Sequence, residues 1–204
     1  MYSTRPGLIL AFHGCDQSVR DKVIDGYDIL KYSKNNYDWL GHGIYFWENS
    51  PSRALEFADH LKNKKSNPSK NIVKNPSVIG AVINLGFCLD LLDFENLQLL
   101  QTGYKLLQTS YKSTEFPINK STGELGELLL RDLDCEVIET LHQVRTERNH
   151  QPFDTVRGVF WEGKELYPNA GFREKDHIQI CVRNPNCIKG FFLPRQLDSN
   201  YQKV

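Results

Sequence analysis

Residues 41–61 constrain the fold more than any other stretch of the chain. Gly41-His42-Gly43-Ile44-Tyr45-Phe46 is a short aromatic segment that runs straight into Trp47-Glu48-Asn49-Ser50-Pro51-Ser52-Arg53-Ala54-Leu55-Glu56-Phe57-Ala58. Glycines at 41 and 43 let the backbone bend sharply or lie close to a ligand. Ile44 to Phe46 has the aromatic and β-branched content of a strand. Ser50 is placed to cap a helix whose first residue is Pro51, where the missing N–H costs nothing. Ala54, Phe57, Ala58 and Leu61 recur at i, i+3, i+4 and i+7, so that helix has one apolar face.

The rest of the chain supplies strands and helices around this unit. Leu8 to Gly14 reads as a buried strand that ends in a polar His13 and a turn at Gly14. A short helix follows, with Asp16 as its cap and Val19, Val23 and Ile24 apolar, and then a polar loop to Asp38-Trp39-Leu40. Trp39 reads as a packing residue at the base of that loop. Val78 to Gly86 is a buried strand by composition, and Cys88 to Asp93 continues it to a turn. Leu97, Leu100, Tyr104, Leu107 and Tyr111 mark one helix. A capping box from Ser121 to Glu124 predicts the start of another, with Leu130, Leu133, Val137, Leu141 and Val144 as its stripe. Phe153 to Gly163, His177 to Val182 and Ile188 to Leu193 read as strands, with a loop at 164–176.

Two totals exclude broad classes. Lys and Arg number 25 against 25 Asp and Glu, so no global charge draws the chain to nucleic acid or a membrane. At 204 residues, one domain over 1–204 with a sizeable core is expected. No apolar run spans a bilayer, and the N-terminal residues lack a signal-peptide apolar region, so a cytoplasmic location is expected. Five cysteines without a Cys-x-x-Cys pair read as reduced thiols, not as a metal site. Cys15 beside His13 also allows a thiol nucleophile, but no third orienting residue is evident. The lysines between 62 and 74 form either an electropositive lip or a solvated loop.

The 41–58 segment resembles the Gly-x-Gly-Ile-Tyr-Phe strand and helix of the poly(ADP-ribose)-polymerase-like ADP-ribosyltransferases. His13-Gly14 is similar to that family's first strand end, and Val78 to Gly86 to its next strand. Gln179-Ile180-Cys181-Val182, followed by Ile188 to Leu193, keeps the order and gap of its last two strands. The resemblance covers about 8–93 and 153–193, and is weakest over the helical insertion at about 94–150. It implies an α/β (α+β) fold of two packed, mostly antiparallel half-sheets around an NAD cleft.

The resemblance also implies roles. His13 and Gln179 would hold the nicotinamide ribose, Gly14 the carboxamide, and the nicotinamide ring would lie between Tyr45 and Phe57. Gln179 stands where the family has Glu. An amide keeps a hydrogen bond to the ribose 2′-OH but lacks the charge that stabilises an oxocarbenium ion, and it cannot act as a base. Transfer of one ADP-ribose unit is therefore expected and polymerisation is not. Glu162 is the first candidate to replace the lost charge and Glu48 the second, although each reads first as a solvated surface carboxylate. The expected acceptor is a protein side chain or a nucleic-acid base, approached from the 161–176 loop. The helical insertion would meet the target or an inhibitory partner. Such an enzyme suits a toxin or defence effector. The alternatives are a catalytically silent NAD- or ADP-ribose-binding module and an NAD glycohydrolase.

Overall fold

The computed structural model describes residues 7–63, 73–111, 115–121 and 127–202. The apolar run after Leu8 forms β1 (Ile9–Asp16), the strand on which the sheet is built. Its far end is fixed by Asp16, whose carboxylate caps α1 (Gln17–Ile24) through the Ser18 N–H at 3.0 Å and also accepts from the N–H groups of Lys74 and Asn75. Those last two contacts set the start of β3 (Pro76–Ile83), which pairs with β1 from Ile9↔Ile83 to Asp16↔Pro76. β1 thus runs two residues past the expected stop at Gly14, because β3 offers it a ladder that far.

β2 (Ile44–Glu48) and α2 (Pro51–Asn63) follow the predicted order, and Pro51 is the first helical residue. The remaining elements are β4 (Cys88–Asp90), α3 (Phe94–Ser110), β5 (Asn119–Ser121), β6 (Leu128–Arg131), α4 (Asp132–Glu147), β7 (Thr155–Phe160), β8 (His177–Val182) and β9 (Ile188–Phe192). Seven strands form one sheet in the order β4-β7-β8-β2-β1-β3-β9, and β5-β6 form a separate ribbon. Every pairing in the large sheet is antiparallel except β4 with β7. The protein is therefore a mixed α+β molecule with four helices on a mostly antiparallel sheet, among the described residues.

Two expectations are corrected here. The half-sheets are joined into one sheet, because β1 and β2 share the pairs Ala11↔Glu48 and Phe12↔Trp47. That ladder is short, and the strands on either side of it pair over longer stretches. The helix expected from Ser121 begins at Asp132 instead. Asn119 explains the shift: its Oδ1 accepts from the N–H groups of Leu133 and Asp134, satisfying donors that a helix start leaves free. Leu130 consequently belongs to β6, and Ser121 to β5. Glu124 of the expected capping box, like lysines 64, 65 and 70, lies outside the described residues.

The sheet buries both faces. Ala11, Cys15, Ile44, Phe46, Ile79, Ile180 and Val182 pack together beneath α1, with Phe46 and Ile180 fully buried. On the other face, α4 lays Ile138 and Leu141 against Leu40, Leu89, Val156 and Cys181. α2 crosses β1 on that same face, through Ala54 against Phe12 and Trp47. Small side chains allow this contact: Ala54 and Ala58 are fully buried, and a Cβ at Gly14 would lie 1.9 Å from the Ala54 carbonyl oxygen.

Candidate functional site

The β1–β2 ladder ends after Phe12↔Trp47. At the next residue of β1 a side chain replaces the ladder: His13 Nδ1 lies 2.7 Å from the Tyr45 carbonyl oxygen. A carbonyl only accepts, so Nδ1 carries the hydrogen. Burial lowers the His13 pKa, which keeps the ring neutral and leaves Nε2 as a lone-pair acceptor. The ring packs beside Phe46 at 5.7 Å. Gly14 lies beyond the last β1–β2 pair, opposite Val78 of β3 and beneath α2.

Tyr45 and Gln179 turn to the opposite face from Phe46. The Tyr45 hydroxyl donates to the Gly41 carbonyl at 2.8 Å and accepts from the Leu40 N–H at 3.0 Å, so it closes on the turn that precedes its own strand. Burial holds its pKa well above the ordinary value of 10.0. Gln179 faces Trp47 across one ladder and Gly158 across the other. Its Oε1 accepts from Trp39 Nε1–H at 2.6 Å. Trp39 packs in the core at the base of its loop, as expected, and it also sets the orientation of Gln179.

Phe57 is 38% exposed and lies 5.0 Å from Trp47. Tyr45 packs instead with the cluster around Leu40 and Val156. The aromatic partner of Phe57 is thus Trp47, one strand alternation away from Tyr45. Glu162 pairs with Arg53 Nη2 at 2.8 Å, and Arg53 Nη1 holds Glu56 at 2.6 Å. Glu48 is committed elsewhere: with Asp90 it brackets Arg157, accepting from Arg157 Nε at 2.6 Å and Nη2 at 3.0 Å. Arg157 is buried, so this pairing is structural.

Residues absent from the sequence-based site gather between α2 and β8. Trp47 Nε1, Arg53 Nε and His177 Nε2 are buried without a hydrogen-bond partner among the described residues. The Trp47 and His177 rings are 6.0 Å apart. His177 Nδ1 faces the Lys175 carbonyl at 2.6 Å, which again leaves Nε2 as an acceptor. Periodicity carried the signal for these positions. Trp47 and His177 each stand two residues from a selected strand position, Tyr45 or Gln179, and Arg53 is one helical turn before Phe57. Burial of this kind marks places where a ligand or water completes the pairing.

The thiol-nucleophile reading of Cys15 finds little support here. Burial raises the Cys15 thiol to about 11, so it is protonated at neutral pH and a poor nucleophile. Among the described residues, no cluster of His, Cys, Asp and Glu could hold a metal ion.

No protein-family model matches the chain. No solved structure matches it either. It is similar to an uncharacterised protein of Methanocaldococcus jannaschii, 27% identical over 194 residues that cover 87% of this chain and 83% of that protein. No helix among the described residues is long and apolar enough to cross a membrane.

Proposed function

We propose that the protein binds NAD at the split between β1 and β2 and transfers a single ADP-ribose unit to a macromolecular acceptor. One observation carries this reading. His13, Tyr45 and Gln179, selected from the sequence by resemblance to ADP-ribosyltransferases, lie on β1, β2 and β8, which are neighbours in the sheet. His13 lies on the Phe46 face and Tyr45 and Gln179 on the other, so a ribose would reach His13 Nε2, left as an acceptor by the Nδ1 bond to Tyr45, only at the open end of the β1–β2 ladder. The nicotinamide ring would lie on the Trp47–Phe57 pair rather than against Tyr45. Nicotinamide leaves from a positively charged ring nitrogen, so orientation and exclusion of water contribute much of the rate. Glu162 is the candidate carboxylate for the developing charge; it is held at 2.8 Å by Arg53, one helical turn before Phe57.

A second reading is an NAD- or ADP-ribose-binding module without turnover. The orientation of Gln179 favours it, since an amide that presents N–H groups gives no stabilisation to an oxocarbenium ion.

The test is incubation of the purified chain with labelled NAD and a cell lysate, followed by separate protease and nuclease digestion. Transferred label that either treatment releases supports the transferase and identifies the acceptor class. Nicotinamide release without label supports a glycohydrolase. Binding of NAD without release supports the module.

A further inference from the structure

Three buried or half-buried arginines are matched by carboxylates at hydrogen-bonding distance: Arg20 by Asp21 at 2.6 Å, Arg53 by Glu56 at 2.6 Å, and Arg157 by Glu48 at 2.6 Å. Arg131, at the end of β6, is one of three half-buried arginines that rest on aromatic rings, with Arg145 and Arg173. Its guanidinium lies over two aromatic rings, 5.0 Å from the centre of Trp39 and 4.5 Å from Phe160. Its Nε donates to the Leu128 carbonyl. Among the described residues its carboxylate partner is Asp134, whose Oδ2 forms a loose ion pair with Arg131 Nη1 at 3.6 Å that a phosphate oxygen could replace.

The acids around it also engage other groups. Asp134 accepts from Asn119 Nδ2 at 2.9 Å, Asp132 pairs with Lys120 at 3.3 Å, and Glu127 accepts from the Gly163 N–H at 2.5 Å. The ring that carries Arg131 is also the one that fixes Gln179, because Trp39 Nε1–H occupies the amide oxygen. The Gln179 NH2 therefore points away from Trp39 and has no partner among the described residues. Gly158 seats this arrangement: a Cβ there would meet the Trp39 ring at 2.9 Å. One indole thus organises a cation and an N–H donor on the same face of the sheet.

We propose that Arg131 holds the pyrophosphate of the dinucleotide, with the Gln179 amide donating to the adjoining ribose oxygen. This rests on the NAD-binding reading above, and it gives part of the helical segment a place in the substrate site. A planar guanidinium, stacked on aromatic rings, is pre-organised to donate two parallel bonds to phosphate oxygens.

Calorimetric titration of the full chain with ADP-ribose, inorganic pyrophosphate and nicotinamide riboside tests the assignment. Arg131→Met keeps the apolar stem over Trp39 and Phe160 while removing the charge. It should weaken ADP-ribose and pyrophosphate by about tenfold or more and leave nicotinamide riboside within about twofold. Arg131→Lys serves as the second variant and should weaken ADP-ribose by about threefold or more, since an ammonium lacks the fork. Unchanged ADP-ribose affinity in both variants, with NAD still bound, overturns the role of Arg131 and leaves the NAD reading standing. Equal loss for nicotinamide riboside also overturns it, by showing a structural effect. Pyrophosphate bound through Arg131 without any NAD binding supports the anion seat and removes the NAD reading. A folded wild-type chain that takes none of the three ligands overturns both.

Discussion

Trp39 Nε1–H donates to Gln179 Oε1 at 2.6 Å, joining the loop before β2 to the middle of β8 across 140 positions of sequence. An indole nitrogen only donates, so this bond assigns the amide: oxygen toward Trp39, nitrogen away from it. The orientation of the Gln179 amide is therefore held by the fold.

Removing the indole N–H should release that amide. Trp39→Phe is expected to cost about 1 kcal/mol for the lost bond, with a further cost for the smaller ring. In a double-mutant cycle with Gln179→Met, urea denaturation should give a coupling energy of about 0.5 kcal/mol or more. A coupling near zero would show that the bond does not form in solution.

Glu48 should prove structural. Glu48→Gln leaves the buried Arg157 with only Asp90 as a charged partner and is expected to destabilise by about 3 kcal/mol or more. Thermal denaturation measures the loss. NAD affinity of the remaining folded protein should be unchanged, and a selective loss of binding without loss of stability would return Glu48 to the site.

Stability should fall with acid from near neutrality. Burial lowers both His142 and His177 from 6.5 to about 4. Between those two pH values the unfolded chain binds protons that the folded chain refuses, so stability rises with pH. The contribution is complete above about 6.5 and is lost as pH falls toward about 4, to the extent of roughly 3 kcal/mol per histidine. His177→Asn keeps an N–H for the Lys175 carbonyl and should flatten part of this slope. Denaturation midpoints at pH 7.5 and 5.0 test it, and identical slopes for wild type and variant would contradict it.

The sequence revealed strands more readily than side-chain partners. The glycine-flanked aromatic strand, Pro51 and the Ala54–Ala58 spacing were enough to place β2 and α2, because strand alternation and helix starts are local. Neighbouring strands within the sheet depend on pairings far apart in sequence, such as Tyr45 with Cys181, and could be expected only by resemblance. The partners of the site residues were hidden for the same reason. Nothing near Glu48 announces Arg157, and nothing near Gln179 announces Trp39. The start of α4 was misread because the competing cap, Asn119, belongs to a ribbon strand with no apolar alternation of its own.

The most direct measurement is nicotinamide release and ADP-ribose transfer by wild type and His13→Asn in parallel. Asparagine can still donate to the Tyr45 carbonyl, so the β1–β2 junction should hold, while the lone pair at Nε2 is lost. The account predicts release and transfer by wild type, and a folded variant that loses both by about tenfold or more. Full activity in His13→Asn, or a folded wild-type protein that neither binds nor cleaves NAD, would contradict it.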